Sequence, residues 1–524
     1  MRVSKRQSVT RALVLGTALF VLTACRKQET SPSKDAPSVS SGFTKSAVSK
    51  PAEPIAIRTG YYWDSYWDET AYSTTASVSF PLVELGEKEK EKYSGLADSV
   101  KTLMEQVKED RLNLYSAAIQ RAAEERADDP EFDTQFYIEE SARVKRADTV
   151  VVSLLLDGSV YMGGQYENRH DLGYVFDTET GKLLSLDDVV NDRKELPDLV
   201  FEALKRFRGE ENIYGDLDPE TCFESSETAV SWTLDCNGIT FYFNPSVAAP
   251  FEMGVVDVTL SFADYPQLVR EKYRNVPESY GTEFAFGQNF YFDLDGDGSL
   301  DCLDVTAGES ESGGYEDMTV WLNGEPCVGN DISYMIEPVL LHTKDGKNWL
   351  YVGQQYPDDF WVFQVYDVSH GYPENAGIVY SGCKNYISDS GYYIKEVLTD
   401  PDSFMLETWT NLLGIEYGYD SCHVGADGLP VKENDGYFID SERNFTMLND
   451  LSVTLVDEAG NSLGEAVLKK GDTVTYCRTD GYTYADLKLS DGRIGRVFTE
   501  QSDWSYTVEG ADIGELFDGM NYEQ

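Results

Sequence analysis

The sequence predicts a multidomain, β-rich protein whose amino-terminal part is α+β. Its 524 residues exceed the number that one hydrophobic core normally organises, so several domains are expected. Tyr, Phe and Trp make up 13% of the chain, and these residues favour strands over helices. Short apolar runs also alternate with Asp-Gly and Thr-Gly pairs, which is typical of antiparallel hairpins.

The chain is strongly acidic. It carries 92 Asp and Glu residues against 43 Lys and Arg residues, a formal charge of −49. We expect no nucleic-acid partner, because contacts to phosphates need clustered basic residues. The charge favours a cationic partner or calcium, and it is equally compatible with a simpler role in keeping an exported protein soluble.

The amino terminus has the pattern of a bacterial export signal. Four basic residues precede an apolar run over 12–23, which is too short to span a bilayer. Residues 22–25, Leu-Thr-Ala-Cys, resemble the lipobox of bacterial lipoproteins. This resemblance implies a signal peptide over 1–24, lipidation of Cys25 and attachment to the extracytoplasmic face of the cell membrane; an ordinary secretory signal is the alternative. Residues 25–55 are rich in Ser, Pro and Lys and are expected to form a disordered tether.

An α+β domain is predicted over 56–272, from strands, a long helix, strands, a second helix and strands again. The long helix follows from Leu96, Val100, Leu103 and Val107, which recur at helical spacing before Pro130. The aromatic residues of the first strand, among them Trp63 and Trp67, are interpreted mainly as core residues. Stacking on sugar rings is their alternative role.

The runs MGGQYENRHDLGYVFDTETGKLLSLDDVV and GITFYFNPSVAAPFEMGVVDVTLSFADYPQL, over 162–190 and 238–268, resemble the extracellular domain of the sigma-V anti-sigma factor. The same domain type accompanies bacterial polysaccharide deacetylases without being the catalyst. The resemblance implies a sensing or binding domain whose partner is a cationic protein of the lysozyme type. The family usually places a histidine shortly after the Gly-Gly pair, whereas the nearest histidine here is His170.

A second β-rich region is expected over 280–445, built either as a few propeller-like blades or as a sandwich. The following stretch, 448–502, resembles the SH3-like domains of bacterial cell-wall proteins through KKGDTVTY and LKLSDGRIGRVF. This resemblance implies a small β-barrel that binds peptidoglycan or acts as a spacer. Residues 503–524 are expected to form an acidic tail.

The stretch FDLDGDGSLDCLD, over 292–304, has the spacing of a calcium-binding loop. Its predicted ligands are Asp293, Asp295, Asp297, the Ser299 carbonyl, Asp301 and Asp304. Gly298 provides the sharp turn that such loops need. The flanking residues alternate as strands do, so calcium is expected to be a structural clip between two strands. A solvated acidic turn is the alternative.

Seven cysteines follow Cys25, and export makes disulfides possible. Pairing of sequence neighbours gives Cys222 with Cys236, Cys302 with Cys327, and Cys383 with Cys422. Cys477 is then left over, and other connectivities remain open.

No catalytic motif stands out. The four histidines are scattered, without the spacing of a metal-dependent hydrolase. We therefore expect a non-enzymatic surface lipoprotein that binds a cationic protein or cell-wall material. The alternatives are a calcium-dependent enzyme acting on envelope glycans and a structural spacer.

Overall fold

The computed structural model describes residues 50–69, 72–129, 132–215, 217–225, 230–310, 313–329, 332–356, 360–440, 443–502 and 505–520. The predicted signal peptide, Cys25 and most of the tether lie outside these residues. The last residues assigned to the tether are packed, since Ala52 and Ile55 are buried. Within the described ranges, no helix combines the length and the apolar character needed to cross a membrane.

The amino-terminal part is a mixed sheet covered on one face by a long helix. Its strands are β1 (Ile57–Asp68), β2 (Ser73–Leu85), β3 (Phe136–Ala147), β4 (Val151–Tyr161) and β5 (Asn168–Asp177), and its helices are α1 (Glu87–Lys92) and α2 (Ser94–Asp128). β2 and β3 pair in parallel because α2 connects them, and the other neighbours pair antiparallel. The predicted long helix is confirmed, with Leu96, Val100 and Val107 buried against the sheet.

A second layer packs beside this sheet. It consists of α3 (Leu186–Val189), α4 (Leu196–Arg208), α5 (Pro219–Ser225), β6 (Val230–Leu234), β7 (Gly238–Phe243) and β8 (Val256–Ser261), with 3₁₀ turns at Glu210–Asn212, Phe251–Met253 and Glu271–Arg274. β6, β7 and β8 form an antiparallel sheet. α4 covers it with Val200, Phe201 and Leu204, so the predicted α+β organisation is confirmed.

In the middle of the chain, the regular elements of the described residues are strands. They are β9 (Tyr280–Glu283), β10 (Phe290–Phe292), β11 (Asp301–Glu309), β12 (Tyr315–Leu322), β13 (Glu325–Val328), β14 (Met335–His342), β15 (Asn348–Gln355), β16 (Trp361–Asp367), β17 (Glu374–Val379), β18 (Gly382–Cys383), β19 (Asn385–Ile387), β20 (Tyr393–Glu396), β21 (Phe404–Thr410), β22 (Glu416–Val424), β23 (Pro430–Lys432), β24 (Tyr437–Ile439) and β25 (Asn444–Met447).

These strands form sheets that stack face to face. β10 to β13 make one sheet, and β9 with β14 to β17 makes a second. Because side chains alternate along a strand, Leu340 and Leu350 face the first sheet, while Leu341 and Trp349 face β21 and β22 on the other side. The second sheet is therefore buried on both faces.

The last region is also antiparallel. Its elements are β26 (Leu451–Val456), β27 (Ser462–Leu468), β28 (Thr473–Thr479), β29 (Tyr484–Leu489), β30 (Ile494–Phe498), β31 (Glu500–Ser502), β32 (Ser505–Val508), β33 (Ala511–Asp512), α6 (Ile513–Leu516) and β34 (Phe517–Asp518). The acidic tail contributes to the core, since Ile513, Leu516 and Phe517 are buried.

The small barrel expected over 448–502 is not found as a closed barrel among the described strands. β28 pairs with β29 on one edge, while its other edge is taken by β24 and β25, which lie outside that range. β27 pairs with β26 alone and its side chains are mostly exposed. The strands are therefore part of a larger open sheet.

Strand pairing crosses the predicted domain boundaries. β20 lies beside β1, with Arg58 opposite Glu396 and Gly60 opposite Ile394. The ranges 56–272 and 280–445 thus share a seven-stranded sheet. The coarse prediction of a β-rich protein with an α+β amino-terminal part is confirmed.

No disulfide joins the described cysteines, which corrects the three predicted pairings. Cys222 and Cys236 lie in different hydrophobic cores. Cys302 and Cys327 lie on β11 and β13, with β12 between them, and Cys383 and Cys422 are likewise separated by β21. Two strand spacings amount to about 9 to 10 Å, whereas a disulfide needs Cα atoms within about 7 Å.

Buried charges join the end of β3 to the segment that leads into β9. The Arg146 side chain is fully buried, and it donates to Asp148 (2.6 Å), to the Tyr273 carbonyl (2.6 Å) and to the Asn275 carbonyl (2.8 Å). Next to it, Lys145 Nζ donates to the Glu283 carbonyl (2.9 Å). These bonds attach the helix-covered sheet to the β-rich region.

Replacement of Arg146 tests this attachment. Arg146→Met keeps most of the side-chain volume but leaves the Asp148 carboxylate and two carbonyls without their donor. We expect the free energy of unfolding to fall by about 3–5 kcal/mol, measured by urea unfolding. Arg493→Ala, at an exposed ion pair with Asp491, is the control and should leave the curve unchanged. Equal effects of the two substitutions on the free energy of unfolding would contradict the role of Arg146 in attaching the two regions.

Candidate metal centre and binding surfaces

The acidic loop connects β10 to β11 as a hairpin, as the strand-like flanks predict. Carboxylate oxygens of Asp293, Asp295 and Asp297 lie within 4.8 Å of one another. Gly296 and Gly298 have φ values of 73° and 87°, a left-handed conformation that glycine adopts without strain. The loop therefore turns sharply enough to point three carboxylates at one position.

The donor set of these three residues fits a calcium ion. Asp293 Oδ2 accepts a hydrogen bond from the Gly298 N–H (3.1 Å), whereas its Oδ1 is buried and accepts none. A buried carboxylate oxygen without a hydrogen bond is costly unless a cation binds it. Calcium prefers several carboxylate oxygens in a flexible arrangement.

Two of the predicted ligands are not in this group. Asp301 accepts hydrogen bonds from the Leu294 N–H (3.0 Å) and from Asn323 Nδ2 (2.6 Å), so it closes the base of the loop. Asp304 lies within β11, opposite Trp321, and strand alternation points it away from the face of Leu303. The Ser299 N–H donates to Asp297 (2.8 Å), and ligation by the Ser299 carbonyl stays a prediction.

Burial and mutual repulsion act on the same carboxylates. Burial raises the pKa of Asp293, and the charges of Asp297 and Asp295 raise it further against two backbone hydrogen bonds. The pKa of Asp301 is also raised, mainly by burial, with contributions from Asp295 and Asp297. A bound cation would remove this repulsion.

The loop is attached to the neighbouring sheet by one amide. Asn348 at the start of β15 is buried, and its Nδ2 donates to the Leu294 carbonyl (2.6 Å). Its Oδ1 lies 2.9 Å from His342 Nδ1, and the His342 ring stacks on Tyr280 at 4.8 Å. Order in the loop therefore bears directly on the contact between the two sheets.

A second feature is an acidic groove beside the last turns of α2. It is lined by Ala117, Gln120, Arg121, Glu124, Glu125, Asp128 and Met162, and it has a volume of about 510 Å³. Its three carboxylates are exposed. Arg121 lies 3.7 Å from Glu125 and is the one cation among the lining residues. No motif marks these residues in the sequence, although the run EERADD over 124–129 shows the excess of acid.

His170 belongs to a buried cluster rather than to an exposed polar site. Its Nε2 lies 3.1 Å from Glu140, whose buried carboxylate also accepts two hydrogen bonds from Arg111 at 2.6 and 3.0 Å. His170 and Arg111 together lower the pKa of Glu140 against the effect of burial. The cluster fixes α2 on the sheet, which accounts for these three residues structurally.

A third feature corrects the interpretation of the first strand. Trp63 and Trp67 are not core residues: they are 62% and 54% exposed. Tyr61 on the same strand is 54% exposed. Large aromatic side chains usually bury most of their surface, and exposed clusters of them mark binding sites more often than chance.

Comparison with known proteins finds only distant matches to parts of the chain. No protein-family model and no curated protein matches the chain. Two crystal structures of DUF3298 family proteins were found, from Bacteroides fragilis at 17% identity and from Pseudomonas aeruginosa PAO1 at 14% identity. The matches cover 42% and 43% of this chain and 94% and 98% of those chains, with TM-scores of 0.28 and 0.29.

Calcium is expected to stabilise the hairpin that contains the loop. A hundredfold excess of calcium over its Kd should add about 2.7 kcal/mol to the free energy of unfolding and slow hydrogen exchange over 290–309. The stabilisation by calcium should shrink as the pH falls. The pKa values of Asp293 and Asp301 are raised, so these carboxylates become protonated at a higher pH than an ordinary aspartate does.

The matched variants are Asp295→Asn with Asp297→Asn, which remove two of the three grouped carboxylates, and Asp345→Asn in another hairpin turn. The first pair should abolish the effect of calcium and the second substitution should leave it intact. Unfolding curves that coincide with and without calcium would show that the loop is only an acidic turn.

Proposed function

We propose that this protein is a non-enzymatic, lipid-anchored surface protein of a bacterium that binds a cationic protein. Several observations support the proposal. Residues 22–25 resemble a lipobox with Cys25 as the lipidated residue, and 162–268 carry the resemblance to the extracellular domain of the sigma-V anti-sigma factor. The observation that carries the proposal is the acidic groove beside α2.

The groove suits a lysine or arginine side chain of a partner. Glu124, Glu125 and Asp128 supply three negative charges, and the single arginine of the groove supplies one positive charge. The lining residues therefore carry a net charge of about −2. Met162 adds an apolar surface against which the methylene stem of a basic side chain can pack. The groove is open, so a side chain presented by a large partner can enter it.

The charge of the whole chain acts in the same direction. A net charge of −49 attracts a cationic protein over distances of about a Debye length. Such long-range attraction accelerates association, while close pairs in the groove determine where the partner binds. Both effects favour a cationic protein over an anionic polymer as the ligand of this site.

Calcium takes a structural role in this proposal. The carboxylates of 293–297 are joined through Leu294 and Asn348 to the stacked sheets, in a different hydrophobic core from the one that contains α2. The strands of 448–502, with their resemblance to SH3-like domains, serve as a spacer within the larger sheet. No step of the proposal needs the protein to catalyse a reaction.

Retention of lysozyme, used as the cationic probe, tests the proposal. We expect the full chain to bind lysozyme. The double variant Glu124→Lys with Glu125→Lys should weaken this binding by about tenfold or more, which corresponds to about 1.4 kcal/mol or more. The affinity should also fall with rising salt. Isothermal titration calorimetry at several salt concentrations gives both the affinity and its dependence on salt.

A control with the same change in net charge separates the groove from general attraction. Glu458→Lys with Glu465→Lys reverses two exposed acids of the last region and should change the affinity less than the groove variant does. Equal weakening by both variants would assign binding to overall charge. Absence of lysozyme binding by the unaltered chain would refute the proposal for this class of partner.

A further inference from the structure

We propose that the face of the amino-terminal sheet opposite α2 binds a neutral polysaccharide chain through Tyr61, Trp63 and Tyr393, which together form the aromatic face. This inference goes beyond the proposed function and uses different residues. The three side chains are 54%, 62% and 74% exposed. Their exposure is the first observation, because large aromatic rings usually bury most of their surface and several of them on one face form an apolar patch of the kind that marks a binding site.

Strand register places the three rings on one face. Tyr62 stacks on Phe80 at 4.7 Å and meets Tyr392 edge to face at 5.3 Å. Phe80 belongs to the core under α2, so Tyr62 and Tyr392 point towards the helix. Successive side chains of a strand point to opposite faces, and their neighbours Tyr61, Trp63 and Tyr393 therefore point away from it.

The rings are held on a rigid base. β1 pairs with β2 over its whole length, and its residues 58–60 also pair with β20. Tyr62 and Tyr392 pack directly behind the exposed rings. Binding then costs little ordering of the backbone, because both strands already lie inside the sheet.

The spacing of the rings suits a chain of sugars rather than a single one. Neighbouring strands lie about 4.8 Å apart, and alternate residues of a strand lie about 7 Å apart. Tyr393 and Tyr61 thus lie side by side across β20 and β1, and Trp63 follows along β1. Adjacent rings at these distances offer stacking surfaces to successive sugar units.

Hydrogen-bonding groups continue the same face across the sheet. Trp63 lies opposite Ser79, and Ser77 lies beside Tyr137, which stacks on Tyr161 at 5.5 Å. Ser77 itself is buried, and its hydroxyl accepts a hydrogen bond from Nε2 of Gln135 (3.1 Å), whose side chain is exposed. Hydroxyl, amide and carboxylate groups between aromatic rings are the groups that recognise sugar hydroxyls.

The charge of the face selects a neutral chain. Glu139 is exposed on it, next to Ser159, and the neighbouring Glu167 is paired with Arg169 at 2.5 Å. Of these two carboxylates, Glu139 has no paired cation. It accepts hydrogen bonds from sugar hydroxyls and repels phosphate or sulfate groups. Together with the acidic charge of the whole chain, this excludes a polyanionic polysaccharide as the occupant.

Calorimetry with the full chain in detergent tests the proposal, with the hexamer of N-acetylglucosamine as a neutral probe. Binding is expected to weaken by about tenfold or more in Trp63→Ala and in Tyr61→Ala with Tyr393→Ala. Trp409→Ala and Tyr482→Ala remove exposed aromatic side chains elsewhere and should change the affinity by less than about twofold. Unchanged lysozyme retention by the aromatic-face variants would show that they are folded and that this site is separate from the acidic groove.

Three outcomes would overturn the proposal. The unaltered chain could fail to bind both the hexamer and purified peptidoglycan sacculi. The control variants could weaken binding as much as the aromatic-face variants. The chain could bind only the de-N-acetylated, cationic hexamer, which would show that binding at this face depends on charge. It could instead bind a protein at the same residues, which would show that the face has a protein partner. Failure of lysozyme binding alone would leave the polysaccharide site standing.

Discussion

The attachment of β3 to the segment before and within β9 is the constraint on which the arrangement of the sheets depends. Val144 donates from its backbone to the Glu283 side chain (2.8 Å), and Thr282 donates to the Lys145 carbonyl (2.7 Å). Arg146 then binds carbonyls at 273 and 275. Every residue from 144 to 146 is thus committed to the same returning segment.

Burying these charges has a cost that the surrounding groups must offset. Burial lowers the pKa of Lys145, and the carboxylates of Asp235, Asp257 and Glu283 act against that shift. Arg146 keeps its charge because Asp148 and two carbonyls accept its hydrogen bonds. A buried ion pair of this kind contributes less to net stability than to specifying one arrangement, which here is the register between two sheets.

Features that depend on nearby residues could be predicted from the sequence. The apolar residues of α2 recur every three or four positions, and the three grouped carboxylates of the acidic loop lie within five residues of one another. Their spacing alone determines their geometry. Asp304 is not among the grouped carboxylates, because it is the fourth residue of β11 and the direction of its side chain is set by the strand.

Features that depend on distant residues could not be predicted. Nothing in residues 385–396 indicates that they pair with 57–62, more than 300 residues earlier. Trp63 has the composition expected of a strand whether or not another layer covers its face, so its exposure appears only once the sheet is complete. The disulfide pairings failed for a related reason: cysteines close in sequence lie on strands that have another strand between them.

The position of β20 has a consequence for how the α+β part can exist. The first part of β1, residues 58–60, lies inside the sheet only because residues from the far side of the β-rich region return to pair with it. A fragment that ended near residue 272 would also unpair Arg58, Thr59 and Gly60, so the edge of β1 would be open from its first residues onwards, beside several exposed aromatic rings. Edges of this kind pair with other chains and aggregate, so the amino-terminal part, although it has its own core, owes its solubility to a segment more than a hundred residues beyond its end.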